Sequence, residues 1–107
     1  MARLTIQKDE LVKMRELSLK LAECAIVKLT MVNGLVVEGA LRSQQNGNEE
    51  YNGQTHWYGS IDVDTLTGER LHIDVLDIQS AINVWDERKD AYEQAGLIRI
   101  VELPQLS

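Results

Sequence analysis

At 107 residues, with 44% hydrophobic and 26% charged residues, the chain has the composition of one soluble globular domain, near the lower end of sizes that sustain their own core. A single cysteine rules out an intrachain disulfide and a four-cysteine zinc site, and no apolar run approaches the ~20 residues of a membrane-spanning helix. The net charge of −6 disfavours strong non-specific binding to nucleic acid, whose phosphates are held mainly by Lys and Arg. That charge is uneven. Residues 1–42 carry seven basic and five acidic groups (+2), and residues 43–107 carry four basic and twelve acidic (−8). A polyanion site is therefore expected on the N-terminal part.

The first ten residues, MARLTIQKDE, lack the apolar core of a signal peptide, and Cys24 reads as a small buried hydrophobe. Both point to a reduced, cytoplasmic setting with no membrane partner. Residues 5–22 read as a helix: Leu11, Met14, Leu17/Ser18 and Leu21 recur at helical spacing, with Thr5 or Asp9 as candidate N-cap. Lys8, Lys13, Arg15 and Lys20 spread over its outer surface as a supporting basic face.

From Ala25 the period changes to two. Val27, Leu29 and Met31 alternate with Lys28 and Thr30, and Asn33-Gly34 predicts a hairpin into a second strand, residues 35–43. Gly39 falls inside that strand, where glycine marks a bend, a bulge or close approach of another backbone. A small curved barrel follows as the expectation. Residues 44–56, QQNGNEEYNGQTH, read as a polar loop broken at Gly47 and Gly53. Strands are predicted over 57–64, 69–76 and 78–85, then a short helix over 87–95 capped by Asp86 and ended by Gly96, and a last short strand over 97–103. The barrel thus covers about residues 25–85 of one 1–107 domain, with 86–103 as an extension.

The order of one helix and five short strands, together with Val27, Leu29, Asn33-Gly34, Gly39 and Leu41, resembles the first motif and layout of the Sm/LSm family, which includes the Hfq RNA chaperones. The resemblance implies a five-stranded, strongly bent antiparallel Sm-like (SH3-like) barrel. It also implies a homo-oligomeric ring in which the fourth strand of one protomer pairs with the fifth of the next, covering both sheet edges. It departs downstream: Gln45, Asn48 and Glu49 stand where the family places Asp or Asn and then Met-Asn. In the second motif, matched to Ile73–Ile78, Asp74 takes the arginine place and Val75 the glycine place.

The function expected from the resemblance is binding of single-stranded RNA, or DNA, at the pore. Residues 44–52 would line it, and Gln44, Gln45, Asn46, Asn48, Tyr51 and His56 would read or stack bases. His56, Trp57 and Tyr58 form a short aromatic cluster in which period two turns one of Trp57 and Tyr58 inward, and Trp57 is assigned to the core. The competing expectation is a structural or protein-interaction ring without nucleic acid, favoured by the net charge and by Asp74. No enzyme motif is present: His56 and His72 lack metal-ligand spacing, and no phosphate loop or nucleophile elbow occurs. Asp62, Asp64, Asp74 and Asp77 are explained by alternation on exposed strand faces. No metal or cofactor is expected.

Overall fold

In the computed structural model the described residues are 3–100. Helix α1 (Lys8–Leu21) is followed by β1 (Ile26–Met31), β2 (Val36–Tyr51), β3 (Gln54–Asp64), β4 (Arg70–Asp74), a 3-10 turn (Val75–Asp77), β5 (Ile78–Asn83) and α2 (Trp85–Gln94). The strands form one antiparallel sheet in the order β4-β3-β2-β1-β5. The sheet is open, with β4 and β5 at its two edges. No helix among the described residues is long and apolar enough to cross a membrane.

The largest departure from the sequence reading is residues 44–56. These are not a loop. β2 runs unbroken for 16 residues and β3 for 11, paired from Ala40↔Asp64 out to Tyr51↔Gln54. The turn is Asn52-Gly53, with φ +52° and +78°, the paired left-handed residues of a type I′ hairpin. β1 pairs only with residues 36–40 of β2, and β4 only with residues 60–64 of β3. The outer half of this hairpin therefore projects as an arm. Accordingly the molecule measures 59 × 35 × 19 Å with a radius of gyration of 16.0 Å, against about 13 Å for a compact chain of this length.

One apolar cluster fills the inner face of the sheet, where Leu29, Ile61, Val63, Ile73, Val75 and Ile78 meet Met14, Leu17 and Leu21 of α1. A second lies on the opposite face, where Tyr92 of α2, fully buried, packs on Ile26 and Ala40. Gly39 allows the close approach between β2 and β3: a β-carbon there would lie 3.0 Å from both Val63 Cβ and the Asp64 carbonyl oxygen. The ladder then shifts register between Leu41 and Ser43.

Several boundaries move. α1 begins at Lys8 because Thr5 is drawn into a two-way backbone bridge with Trp57, both bonds 2.8 Å; Gln7 is the N-cap, without a side-chain bond. β4 stops at Asp74, whose carboxylate accepts from Leu76 N–H at 2.9 Å and turns the chain into the 3-10 segment. α2 starts at Trp85 with Val84, not Asp86, as its N-cap. Gly96, φ +76°, ends it as expected. Residues 97–100 are not a strand, and 101–103 lie outside the described residues.

Candidate functional site

The arm's register divides the expected base-reading residues. Gln44, Asn46 and Asn48 alternate onto one face with Trp57, while Gln45, Tyr51 and His56 lie on the other with Tyr58. The first face is turned toward α1. Gln44 Nε2 donates to the Ser18 carbonyl at 3.3 Å and Asn46 Nδ2 to Ser18 Oγ at 3.2 Å. Two of the six amide and aromatic groups are thus occupied in tethering the arm to the helix. On the second face Tyr51 and His56 stand edge to face, with ring centres 5.4 Å apart. The Tyr51 hydroxyl donates to Glu49 at 2.9 Å, and that bond to a carboxylate raises the phenol above its ordinary pKa. Gly47 lies beneath Tyr58; a β-carbon there would come within 2.4 Å of the phenol oxygen.

Trp57 is not a core residue. It is 40% exposed and forms one wall of a groove of about 460 Å³ between α1 and the arm, lined also by Leu11, Met14, Arg15, Ser18, Leu19 and Asn46. Leu19 at the rim is 64% exposed. This groove is largely apolar, and the sequence pattern did not lead to it. Its signal was present: Leu11 and Leu19 are apolar helix residues outside the Met14–Leu17–Leu21 stripe that faces the core.

The four helix cations do not form one face. Lys8 and Arg15 share the flank beside the groove, whereas Lys13 and Lys20 lie on the other flank, where Lys13 Nζ donates to the Leu76 carbonyl at 3.2 Å. Elsewhere Arg42, Arg70 and Arg88 are matched internally. Asp64 accepts from Arg42 Nε and Arg70 Nε, each at 2.8 Å, and the Arg70 bond, then the Arg42 bond, holds its carboxyl far below the usual range. Asp62 is lowered in the same way by His72 (2.7 Å) and by the Ser43 hydroxyl (2.7 Å). Glu38 accepts from Arg88 Nε and from the Tyr92 hydroxyl, both at 3.0 Å; burial, then that bond, raises the Tyr92 phenol strongly. Asp74, in the arginine place of the second motif, caps the 3-10 turn and also accepts from Arg3 N–H at 2.7 Å.

No group of three or more His, Cys, Asp or Glu among the described residues is arranged to hold a metal ion. Of the four aspartates considered, Asp62 faces His72 and Asp64 faces Arg42 and Arg70, while Asp74 caps the 3-10 turn and Asp77 ends it.

A solved structure from Xanthomonas campestris, described as adopting a novel variant of the Sm-like motif, superposes with a TM-score of 0.65 over 78% of this chain and 94% of the other, at 11% identity. The fold is Sm-like. No protein-family model matches the sequence, and no curated protein does. At this identity the likeness concerns architecture alone.

Proposed function

We propose that this chain is an Sm-like assembly module, a structural and protein-interaction scaffold whose protomers join through sheet edges β4 and β5. The observation that carries this reading is the pair of unpaired edges on one short sheet. β4 and β5 lie at opposite ends of the strand order, yet only the three residues Val75–Asp77 separate them. Across a flat sheet those strands would stand about 19 Å apart, at ~4.8 Å per step. A three-residue 3-10 segment advances only about 6 Å. Strong curling of the sheet toward a barrel reconciles the two distances, and it presents the β4 and β5 edges for pairing with neighbouring copies. Such edges, left bare, invite uncontrolled aggregation, and a closed ring removes them. The commitment of Arg42, Arg70 and Arg88 to carboxylates, and of Asp74 to backbone donors, favours a scaffold over a phosphate-binding ring.

A second reading, binding of single-stranded RNA or DNA, draws on one specific observation. Gln45, Tyr51 and His56 lie with Tyr58 on the arm face turned away from α1, and Tyr51 is 50% exposed. Aromatic rings and amides on a projecting ribbon suit stacking and edge recognition of unpaired bases. One experiment separates the readings: light-scattering mass of the purified protein together with its 260/280 nm absorbance ratio, followed by anisotropy with short oligonucleotides at low salt. An oligomer free of nucleic acid that binds no oligonucleotide supports the scaffold. A monomer refutes the edge-paired assembly, and tight binding shifts the function to the arm.

A further inference from the structure

The groove between α1 and the arm belongs neither to the sheet edges nor to the arm face that carries Tyr51 and His56. One wall is helical, with Leu11, Met14, Arg15 and Leu19; the arm supplies the other with Trp57 and Asn46. Its volume of about 460 Å³ falls within the range of small-molecule sites, about 300–1,000 Å³, which combine a mostly apolar lining with a few fixed polar groups.

The charge in this groove is uncompensated. The helix neighbours of Arg15 at three and four residues are Leu11, Val12, Ser18 and Leu19, and none is acidic. Arg3, Arg42, Arg70 and Arg88 each hold a carboxylate within 3.5 Å, whereas no ion pair among the described residues engages Arg15. The amides beside it are tied instead. Asn46 Nδ2 donates to Ser18 Oγ, Gln44 Nε2 donates to the Ser18 carbonyl, and Asn46 Oδ1 lies over Gly59, 2.7 Å from where a β-carbon would stand. A nucleobase entering here would leave most donors and acceptors of its edge without partners, at a cost that an apolar ring escapes. What the groove lacks is one anion, and what it offers beyond that is apolar surface.

We infer that this groove binds a small aromatic carboxylate, its apolar ring system against Trp57, Leu11 and Leu19 and its single anionic head on the Arg15 guanidinium. Charge complementarity selects the head, because the planar guanidinium matches a carboxylate with two parallel hydrogen bonds. The indole selects the body, since paired aromatic rings gain attraction beyond the area they bury. The site lies apart from the β4 and β5 edges and stands whether or not protomers join there.

The test is calorimetric titration of the native chain with 2-naphthoate and its uncharged isostere 2-naphthamide, repeated on Arg15→Gln, Trp57→Leu and Lys20→Gln. Circular dichroism checks each fold; the Thr5–Trp57 bridge is made by backbone atoms, so the Trp57 substitution leaves it in place. One naphthoate should bind per chain, with a dissociation constant of about a millimolar or tighter. The amide should bind about fivefold more weakly, and Arg15→Gln should abolish that preference. Trp57→Leu should weaken acid and amide together, and Lys20→Gln, on the other flank of the helix, should change neither. In nitrogen-15 NMR the Trp57 indole N–H should move on titration, while that of Trp85, packed in the second apolar cluster, stays in place. Should Trp57→Leu fail to fold, the Arg15→Gln comparison and the indole shift still decide. An unmoved Trp57 N–H overturns the inference, as does an acid-over-amide preference that persists in Arg15→Gln, or octanoate bound as tightly as naphthoate. Tighter binding of adenosine monophosphate than of naphthoate assigns the groove to nucleotides and overturns it too. So does a Trp57 N–H shift that follows protein concentration without ligand, which assigns the groove to a second copy.

Discussion

Replacing Gly39 by alanine tests whether this position is a point of close approach. The added β-carbon would sit 3.0 Å from the Asp64 carbonyl oxygen and 3.0 Å from Val63 Cβ, with Val63 Cγ2 at 3.2 Å. Two of these atoms belong to the fully buried Val63 and the third is β3 backbone, so relief requires β2 and β3 to separate by a few tenths of an ångström. Overpacking of this kind costs about 1–3 kcal/mol, and removing a strand glycine returns about 0.5–1 kcal/mol through the unfolded chain, leaving a net loss of about 1–2 kcal/mol. For a domain of this size that corresponds to a fall in Tm of roughly 5–10 °C. Gly47→Ala supplies the control. Its β-carbon overlaps more severely, at 2.4 Å, but the obstacle is the phenol end of Tyr58, which can rotate away. Urea unfolding of both variants should therefore rank Gly39→Ala as the more destabilising. Equal stability of Gly39→Ala and the native protein, or a larger loss for Gly47→Ala, would refute the reasoning.

Tyr92→Phe removes the hydroxyl bonded to Glu38 and should cost about 1–2 kcal/mol, measured as a shift in urea midpoint, because the carboxylate keeps only Arg88. Asp64 and Asp62 have folded-state pKa values below their unfolded value of about 3.9, so their contribution to stability is complete above that value and is lost as pH falls through and below it. The unfolding midpoint should accordingly drop between pH 5 and pH 3, and Asp64→Asn should flatten that dependence; an unchanged slope would contradict the ion-pair assignment. Burial raises the Cys24 thiol, against a smaller opposing effect of Lys20, so a disulfide reagent at pH 8 should modify the native protein far more slowly than the urea-unfolded chain.

The elements whose faces differ in burial were legible from the sequence, and those without a buried face were not. β1 and the inner half of β2 alternate because one side meets the core. The helix stripe Met14–Leu17–Leu21 is equally plain for the same reason. Residues 44–56 carry no apolar alternation because neither face of the arm is buried, and a solvated ribbon resembles a loop in composition. The two Asn-Gly pairs within it look alike but differ in role. Asn52-Gly53 makes the turn with two positive φ angles, whereas Gly47 sits mid-strand beneath Tyr58. Only the paired register separates them. Trp57 was misassigned because its position in the ladder, beyond the last residue paired to β4, leaves its indole against α1 at a groove wall and not in the core. The candidate site suffered for the same reason. Alternation in an unrecognised strand splits Gln44, Asn46 and Asn48 from Gln45, Tyr51 and His56.

Charge placement bears on function more than charge number. All eleven Lys and Arg residues lie within 3–99, and five of them, Arg3, Lys13, Arg42, Arg70 and Arg88, are bonded inside the fold. The four that a polyanion would meet on α1 are divided between two flanks of the helix. A phosphate chain following the arm would run past Glu49 and Glu50 before reaching any of them. Affinity for single strands rests on counterion release from several phosphates at once, and scattered or committed cations forfeit that release. The same cations lose nothing in protein contacts. The charge pattern that weakens a nucleic-acid interface is thus no obstacle to the proposed scaffold.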